Sequence, residues 1–210
     1  MYSLVTLAGG LSQRLGSMYK PLIRLKNKPL IKMVIENLEE LFNEIIVVVK
    51  NEKQKSLLEH VLRNKDVVFT LDTSMFKDGP LVAMYTGAMK ARYSKLFVIA
   101  SDYPFVKLNL AKKLLEKLNG YEAVIPMWPN GYIEPLVASY RREPLVKYSY
   151  EALVKGRRRA REPLSYMKTC YVNVYELTPI PEIVFHNINT VEDVVKAEKF
   201  YDKYFSWEFA

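Results

Sequence analysis

Short apolar runs alternate with longer stretches of helical spacing over the first 126 residues, and that rhythm restricts the fold more than any other feature. Leu4-Val5-Thr6-Leu7-Ala8 reads as a buried strand running into the turn Gly9-Gly10. Pro29 suits a first helical turn, and the helical pattern it opens extends to about Phe42. Residues 44–50 form a continuous, mostly β-branched run, as a strand buried on both faces requires. The same order continues with a helix over 53–63, a strand over 67–71 and a helix from Gly79-Pro80. A strand over 96–100, a helix over 108–118 and a strand over 122–126 complete it. Strands joined through helices form a parallel sheet covered on both faces, with right-handed crossovers. The expected fold class is therefore α/β: a three-layer α/β/α domain with a mostly parallel, Rossmann-like sheet, spanning residues 1–210 as one unit.

In open sheets of this kind, ligands gather at the carboxyl ends of the strands. Gly9-Gly10, Asn51, Asp72 and Asp102 each follow a predicted strand, so all four are expected on one rim. The second half is less regular. It predicts a strand over 135–140, a helix over 144–154 and a strand over 169–174. A turn at 186–190 follows, with Thr190 as N-cap and Asp193 completing a box-like arrangement before a helix to about Tyr204.

A chain of 210 residues is long enough for one full hydrophobic core. Its longest apolar runs, such as 45–49, are too short to cross a bilayer, and no basic region precedes an apolar stretch at the start. A single cysteine, Cys170, excludes an internal disulfide and a cysteine-based metal cluster, and is expected in the core. A cytoplasmic protein, a monomer or weak homo-oligomer with no membrane partner, is expected. The net charge of +8 favours anionic partners without choosing among nucleotides, phosphorylated small molecules, nucleic acids and membrane surfaces. The fifteen tyrosines are scattered and offer no stacking platform for nucleic acid. His60 and His186 are too distant in sequence to argue a metal site.

Residues 7–22 carry the strongest chemical signal. Glycines let a backbone approach a ligand closely and adopt positive φ, and successive amides in such a turn form an anion-binding concavity. Arg14 and Lys20 would add charge for phosphate oxygens, one as a planar fork and one as a point charge. The stretch is neither a P-loop nor a dinucleotide fingerprint, since it lacks both Gly-Lys-Ser/Thr and GxGxxG. Asp102, in Ser101-Asp102-Tyr103-Pro104, can hold Mg²⁺ or cap a turn, and a phosphate loop opposite favours the metal. Asp72 can position a base or ribose, or cap the loop that Thr73 and Ser74 continue; Asn51 has similar alternatives. The basic stretch 155–161 is either a solvated face or a site for an anionic substrate.

These residues resemble a known family. The opening stretch resembles nucleotidyltransferases of the nucleotide-diphospho-sugar transferase type, whose motif is Leu-Ala-Gly-Gly, then Arg, Met or Leu, Gly, and finally Lys. Within that superfamily the chain resembles the molybdenum cofactor guanylyltransferases. Asp72 with Gly79-Pro80-Leu81, Ser101-Asp102-Tyr103-Pro104-Phe105 and Glu134-Pro135-Leu136-Val137-Ala138-Ser139-Tyr140 carry the likeness along the chain. Phe185-His186-Asn187-Ile188-Asn189-Thr190 completes it.

The resemblance implies GTP as donor, a phosphorylated pterin (molybdopterin) as acceptor and Mg²⁺ as cofactor. It implies that the phosphates lie over Gly9, Gly10, Arg14 and Lys20, with Mg²⁺ on Asp102. The main chain of Leu7 and Ala8 would lie near the guanine, Asn51 and Asp72 would hold the nucleoside, and Asn187 and Asn189 would close the cleft. The family usually has Asp where this chain has Tyr19, and Cys where it has Ser101; many relatives have another polar residue at Glu134. Three alternatives remain open at this point. They are a guanylyltransferase acting on adenosylcobinamide phosphate, a molybdopterin cytidylyltransferase, and a catalytically silent nucleotide-binding protein.

Overall fold

The computed structural model describes residues 1–12 and 18–204. Eleven strands are present among them: β1 (Ser3–Leu7), β2 (Leu11–Ser12), β3 (Met18–Tyr19), β4 (Arg24–Leu25), β5 (Lys28–Pro29), β6 (Glu44–Val49), β7 (Val68–Leu71), β8 (Lys95–Ala100), β9 (Ala123–Met127), β10 (Val137–Arg141) and β11 (Thr169–Asn173). The main helices are α1 (Leu30–Glu36), α2 (Glu52–Val61), α3 (Pro80–Lys90), α4 (Leu108–Glu116) and α5 (Arg142–Val154). Two short helices, α6 (Val174–Leu177) and α7 (Pro181–Val184), lead to α8 (Val191–Tyr204).

Seven strands form one sheet in the order β11-β9-β10-β8-β1-β6-β7. All neighbours are parallel except β10, which runs antiparallel to both β8 and β9. Successive strand residues face opposite sides, and the core divides accordingly. Leu4, Val47 and Phe97 pack with Ile31, Val34 and Leu114 on one face. Val5, Val48 and Val98 pack with Leu81, Met84 and Leu153 on the other. The expected three-layer α/β/α architecture is thus the one observed. A smaller cluster of Ile23, Leu25, Leu30, Phe105, Ile188 and Ala197 binds α8 to the segment after β3. Among the described residues, no helix is long and apolar enough to cross a membrane.

Two details differ from expectation. The helix predicted to reach about Phe42 ends at Glu36, followed by a single 3-10 turn at Glu39–Leu41. Asn37 ends it: its side-chain Nδ2 donates to the Pro104 carbonyl at 2.7 Å, and its backbone carbonyl accepts from the Leu108 amide at 3.1 Å. Tertiary bonds there replace the next helical turn. The hairpin β4–β5 was not anticipated either. Its turn places Lys26 (φ 47°) and Asn27 (φ 64°) in the left-handed region that tight hairpins demand.

Candidate active site

The end of β1 is fixed on both sides. The Ala8 amide donates to the Val48 carbonyl at 2.8 Å, and the Leu7 carbonyl accepts from the Ser101 amide at 3.1 Å. Gly9 and Gly10 therefore leave the sheet between β6 and β8, at the strand ends. Neither has positive φ; among the described residues only Gly120, Gly131 and Gly156 do among glycines. Close approach explains Gly9 instead, since a Cβ there would lie 2.9 Å from Cγ of Lys50.

A cleft of about 360 Å³ opens at this rim, lined by Leu7, Gly9, Gly10, Lys20, Lys50, Asp72, Gly79, Pro80, Ala83 and Asp102 among others. Larger hollows of about 580 and 650 Å³ lie beside Pro104–Asn109 and the Arg24–Pro29 hairpin, and neither contains Gly9, Lys20 or Asp102. The chemistry-bearing residues therefore single out the smaller one.

Lys20 follows β3 and reaches across Gly10. Its ammonium donates to Oδ2 of Asp102 at 3.2 Å and to Oδ1 of Asn189. Asp102 caps the end of β8 with 9% of its surface exposed. Among the described residues, its buried Oδ1 has no hydrogen-bond partner. Burial pushes the carboxyl pKa upward, and the charge and hydrogen bond of Lys20 oppose that shift. Asn189 is held in turn, because its amide donates to Oδ2 of Asp193 at 2.9 Å. Asp193 also accepts from the Thr190 amide, and its own amide donates to the Thr190 hydroxyl. The expected N-terminal box of α8 thus presents Asn189 to Lys20. Ile188 completes the junction by donating its amide to the Asp102 carbonyl at 3.0 Å.

Asp72 lines the cleft and also caps its own loop, accepting from the Thr73 amide at 3.1 Å and the Thr86 hydroxyl at 2.9 Å. Burial raises its pKa, and those two donors pull the other way. Asn51 is placed differently from the other rim residues. It caps α2, accepting from the Gln54 amide at 2.9 Å, and is not among the cleft-lining residues. Lys50, one residue earlier, lines the cleft and is steadied by Asp78 at 2.7 Å. Arg14 lies outside the described residues. Arg158, from the basic stretch, packs over Gly79: a Cβ on that glycine would meet Cβ of Arg158 at 2.9 Å. Its carbonyl accepts from the Leu81 amide at 3.3 Å. The stretch thus abuts the Gly79-Pro80 wall without lining the cleft. Cys170, expected in the core, is half-buried on the edge strand β11 and packs against the core cluster from outside.

One network escaped the sequence reading. Glu134, 5% exposed, accepts from the Tyr103 hydroxyl at 3.1 Å and the Trp128 indole at 2.9 Å, just behind Asp102. Burial raises its pKa, and the neighbouring Asp102 adds to the effect. The signal was the pairing of a carboxylate with Tyr and Trp on adjacent strand ends, which no local motif reveals.

A lysine and a buried carboxylate thus meet beside a glycine turn at the carboxyl rim where α/β sheets bind their ligands. Residues 4–169 match the family model described as the MobA-like NTP transferase domain, and the chain belongs to that family. It is 34% identical over 198 residues to a probable molybdenum cofactor guanylyltransferase of Methanosarcina mazei, covering 91% of this chain and 88% of that one. A protein of the same description from Methanosarcina acetivorans is 36% identical over 200 residues, with the same coverage. Among solved structures, molybdopterin-guanine dinucleotide biosynthesis protein A from Archaeoglobus fulgidus superposes with a TM-score of 0.81 at 28% identity, covering 97% of this chain and 100% of that one.

Proposed function

We propose that this protein transfers GMP from GTP to the phosphate of molybdopterin and releases pyrophosphate. The observation that carries the reading is the convergence of Lys20, Asp102 and the Gly9-Gly10 turn on one cleft. The descriptions of the Methanosarcina relatives support this choice of donor and acceptor.

The glycine turn and Lys20 receive the triphosphate, and Asp72 and Lys50 flank the nucleoside end of the cleft. An oxygen of the acceptor phosphate attacks the α-phosphorus in line. The new P–O bond forms as the bond to the β-phosphate bridging oxygen breaks, and pyrophosphate leaves with that electron pair. A phosphate monoester is already largely ionised near neutral pH, so the nucleophile needs no general base. The protein's contribution is positioning and charge neutralisation.

The buried Oδ1 of Asp102, which has no hydrogen-bond partner among the described residues, fits a hard divalent cation such as Mg²⁺. When bound, such an ion neutralises charge on the phosphate oxygens. Lys20 would then shift its ammonium from Asp102 toward phosphate. Arg157, Arg159 and Arg161, exposed on the stretch whose Arg158 packs on Gly79, would offer charge to the acceptor phosphate.

The test is pyrophosphate release from GTP with Mg²⁺ and molybdopterin. Release that requires both, and that is lost in Asp102→Ala with an unchanged circular-dichroism spectrum, supports the reading. Release with cobinamide phosphate alone overturns the acceptor, release with CTP alone overturns the base, and release with no combination overturns the enzymatic reading.

A further inference from the structure

Tyr19 occupies a position that the function above does not use, and its surroundings are specific. Its hydroxyl donates to the Ala8 carbonyl at 2.6 Å. Ala8 is fully buried, and its amide is bonded to β6, so that carbonyl is a fixed point of the sheet. The ring packs against the main core cluster, and burial raises the hydroxyl pKa, keeping it a donor. The next residue is Lys20, whose amide donates to the Gly10 carbonyl at 3.3 Å and whose ammonium reaches Asp102. β2 and β3 pair over only two residues each, Leu11 with Tyr19 and Ser12 with Met18. A ladder that short does not hold its own position. The Tyr19 side chain adds a direct tie from β3 to the end of β1 that so short a ladder lacks.

We infer that Tyr19 is a positioning residue for phosphate binding. It ties β3 to the rigid end of β1 and thereby sets the reach of Lys20 across Gly10. The inference rests on the GTP reading, because it assigns the phosphates to Lys20. Replacing Tyr19 with Phe keeps the buried ring and removes only the hydroxyl. The Ala8 carbonyl then loses its side-chain partner, and β3 loses its direct tie to β1.

The experiment is equilibrium binding of GTP and of GMP, each with Mg²⁺ and without acceptor, to wild type, Tyr19→Phe, Lys20→Met and the double variant. The expected result is GTP binding weakened roughly tenfold in Tyr19→Phe, the upper worth of one hydrogen bond, with GMP binding nearly unchanged. In the Lys20→Met background the tyrosine substitution should have no further effect on GTP, since its influence passes through the lysine. A merely structural role would lower the unfolding temperature without altering the ratio of GTP to GMP affinity. Wild-type GTP affinity in Tyr19→Phe, equal loss of both nucleotides, or additive effects in the double variant would overturn the inference. Failure of the wild-type protein to bind GTP would overturn the functional reading as well. Should Tyr19→Phe fail to fold, Tyr19→Trp, which keeps an aromatic ring and misplaces the donor, must show the same selective loss or the inference falls.

Discussion

Gly87 lies in the middle of α3, where glycine is a poor helix former, and its surroundings explain why it is there. A Cβ built on it falls 2.3 Å from Cγ1 of Val5 and 3.1 Å from Cγ2 of Val48. Non-bonded carbons prefer about 3.5–4.0 Å. Both valines are essentially buried, on the neighbouring strands β1 and β6. Overpacking of this kind costs about 1–3 kcal/mol, and a first gap so short places Gly87→Ala near the upper end. Alanine's better helix propensity returns about 1 kcal/mol, leaving a net loss of about 2 kcal/mol. For a chain of this size, that lowers the unfolding temperature by roughly 4–8 °C. Function should suffer too, because Pro80 and Ala83 on the same helix line the cleft. If α3 rides outward, nucleotide affinity falls with stability. The assays are thermal unfolding by calorimetry and GTP binding. Gly120→Ala is the control: φ is +83° with nothing within 4 Å of the added methyl, so it costs about 1 kcal/mol of backbone strain and leaves GTP binding alone. A Gly87→Ala protein as stable as wild type would refute the claim that α3 sits at its closest approach to the sheet.

Three further predictions concern residues at opposite ends of β6. Glu44, almost buried, accepts from the Ser3 hydroxyl at 2.7 Å, the Arg92 amide at 2.9 Å and the Arg92 guanidinium at 2.7 Å. Burial alone would raise its pKa, but these donors outweigh it and hold the carboxyl below its ordinary value. Its folded pKa is the lower one, so its stabilisation is present above the unfolded pKa and is lost as pH falls through the folded value. Glu44→Gln should cost about 1–3 kcal/mol at neutral pH and flatten the acid limb of a denaturant-derived stability profile; an unchanged acid limb would contradict this. Lys50→Met should weaken GTP binding about tenfold, within the range of one charge-assisted bond. Asn51→Ala should cost about 1 kcal/mol of stability as a lost helix cap and leave GTP binding unchanged; the reverse pattern would restore Asn51 as the nucleoside contact.

That pair also marks how far the sequence could be read. The strands were legible because β1, β6 and β8 are buried on both faces, so their apolar runs are unbroken. Asp102 is placed on the rim for the same reason, whereas Asp72 follows the partly exposed edge strand β7 and is placed by the short apolar run 67–71 alone. Choosing between Lys50 and Asn51 required the register at which β6 ends, and a shift of one residue exchanges cleft for helix cap. The contact of Lys20 with Asn189 spans 169 positions and depends on how α8 folds back through a separate small core. Asn189 was recognisable by family likeness alone, because local spacing holds no trace of such a closure. Glu134, Trp128 and Tyr103 illustrate the same limit, since only the packed sheet brings them together.

The central claim is that Lys20 and Asp102, now paired with each other, share a single triphosphate with the glycine turn. A crystal structure with a non-hydrolysable GTP analogue and Mg²⁺ tests it most directly. The account predicts phosphate oxygens within hydrogen-bonding distance of Nζ of Lys20 and of the Gly9-Gly10 amides, with the metal on the Asp102 carboxylate. Phosphates bound elsewhere, with the Lys20–Asp102 pair intact, would contradict it.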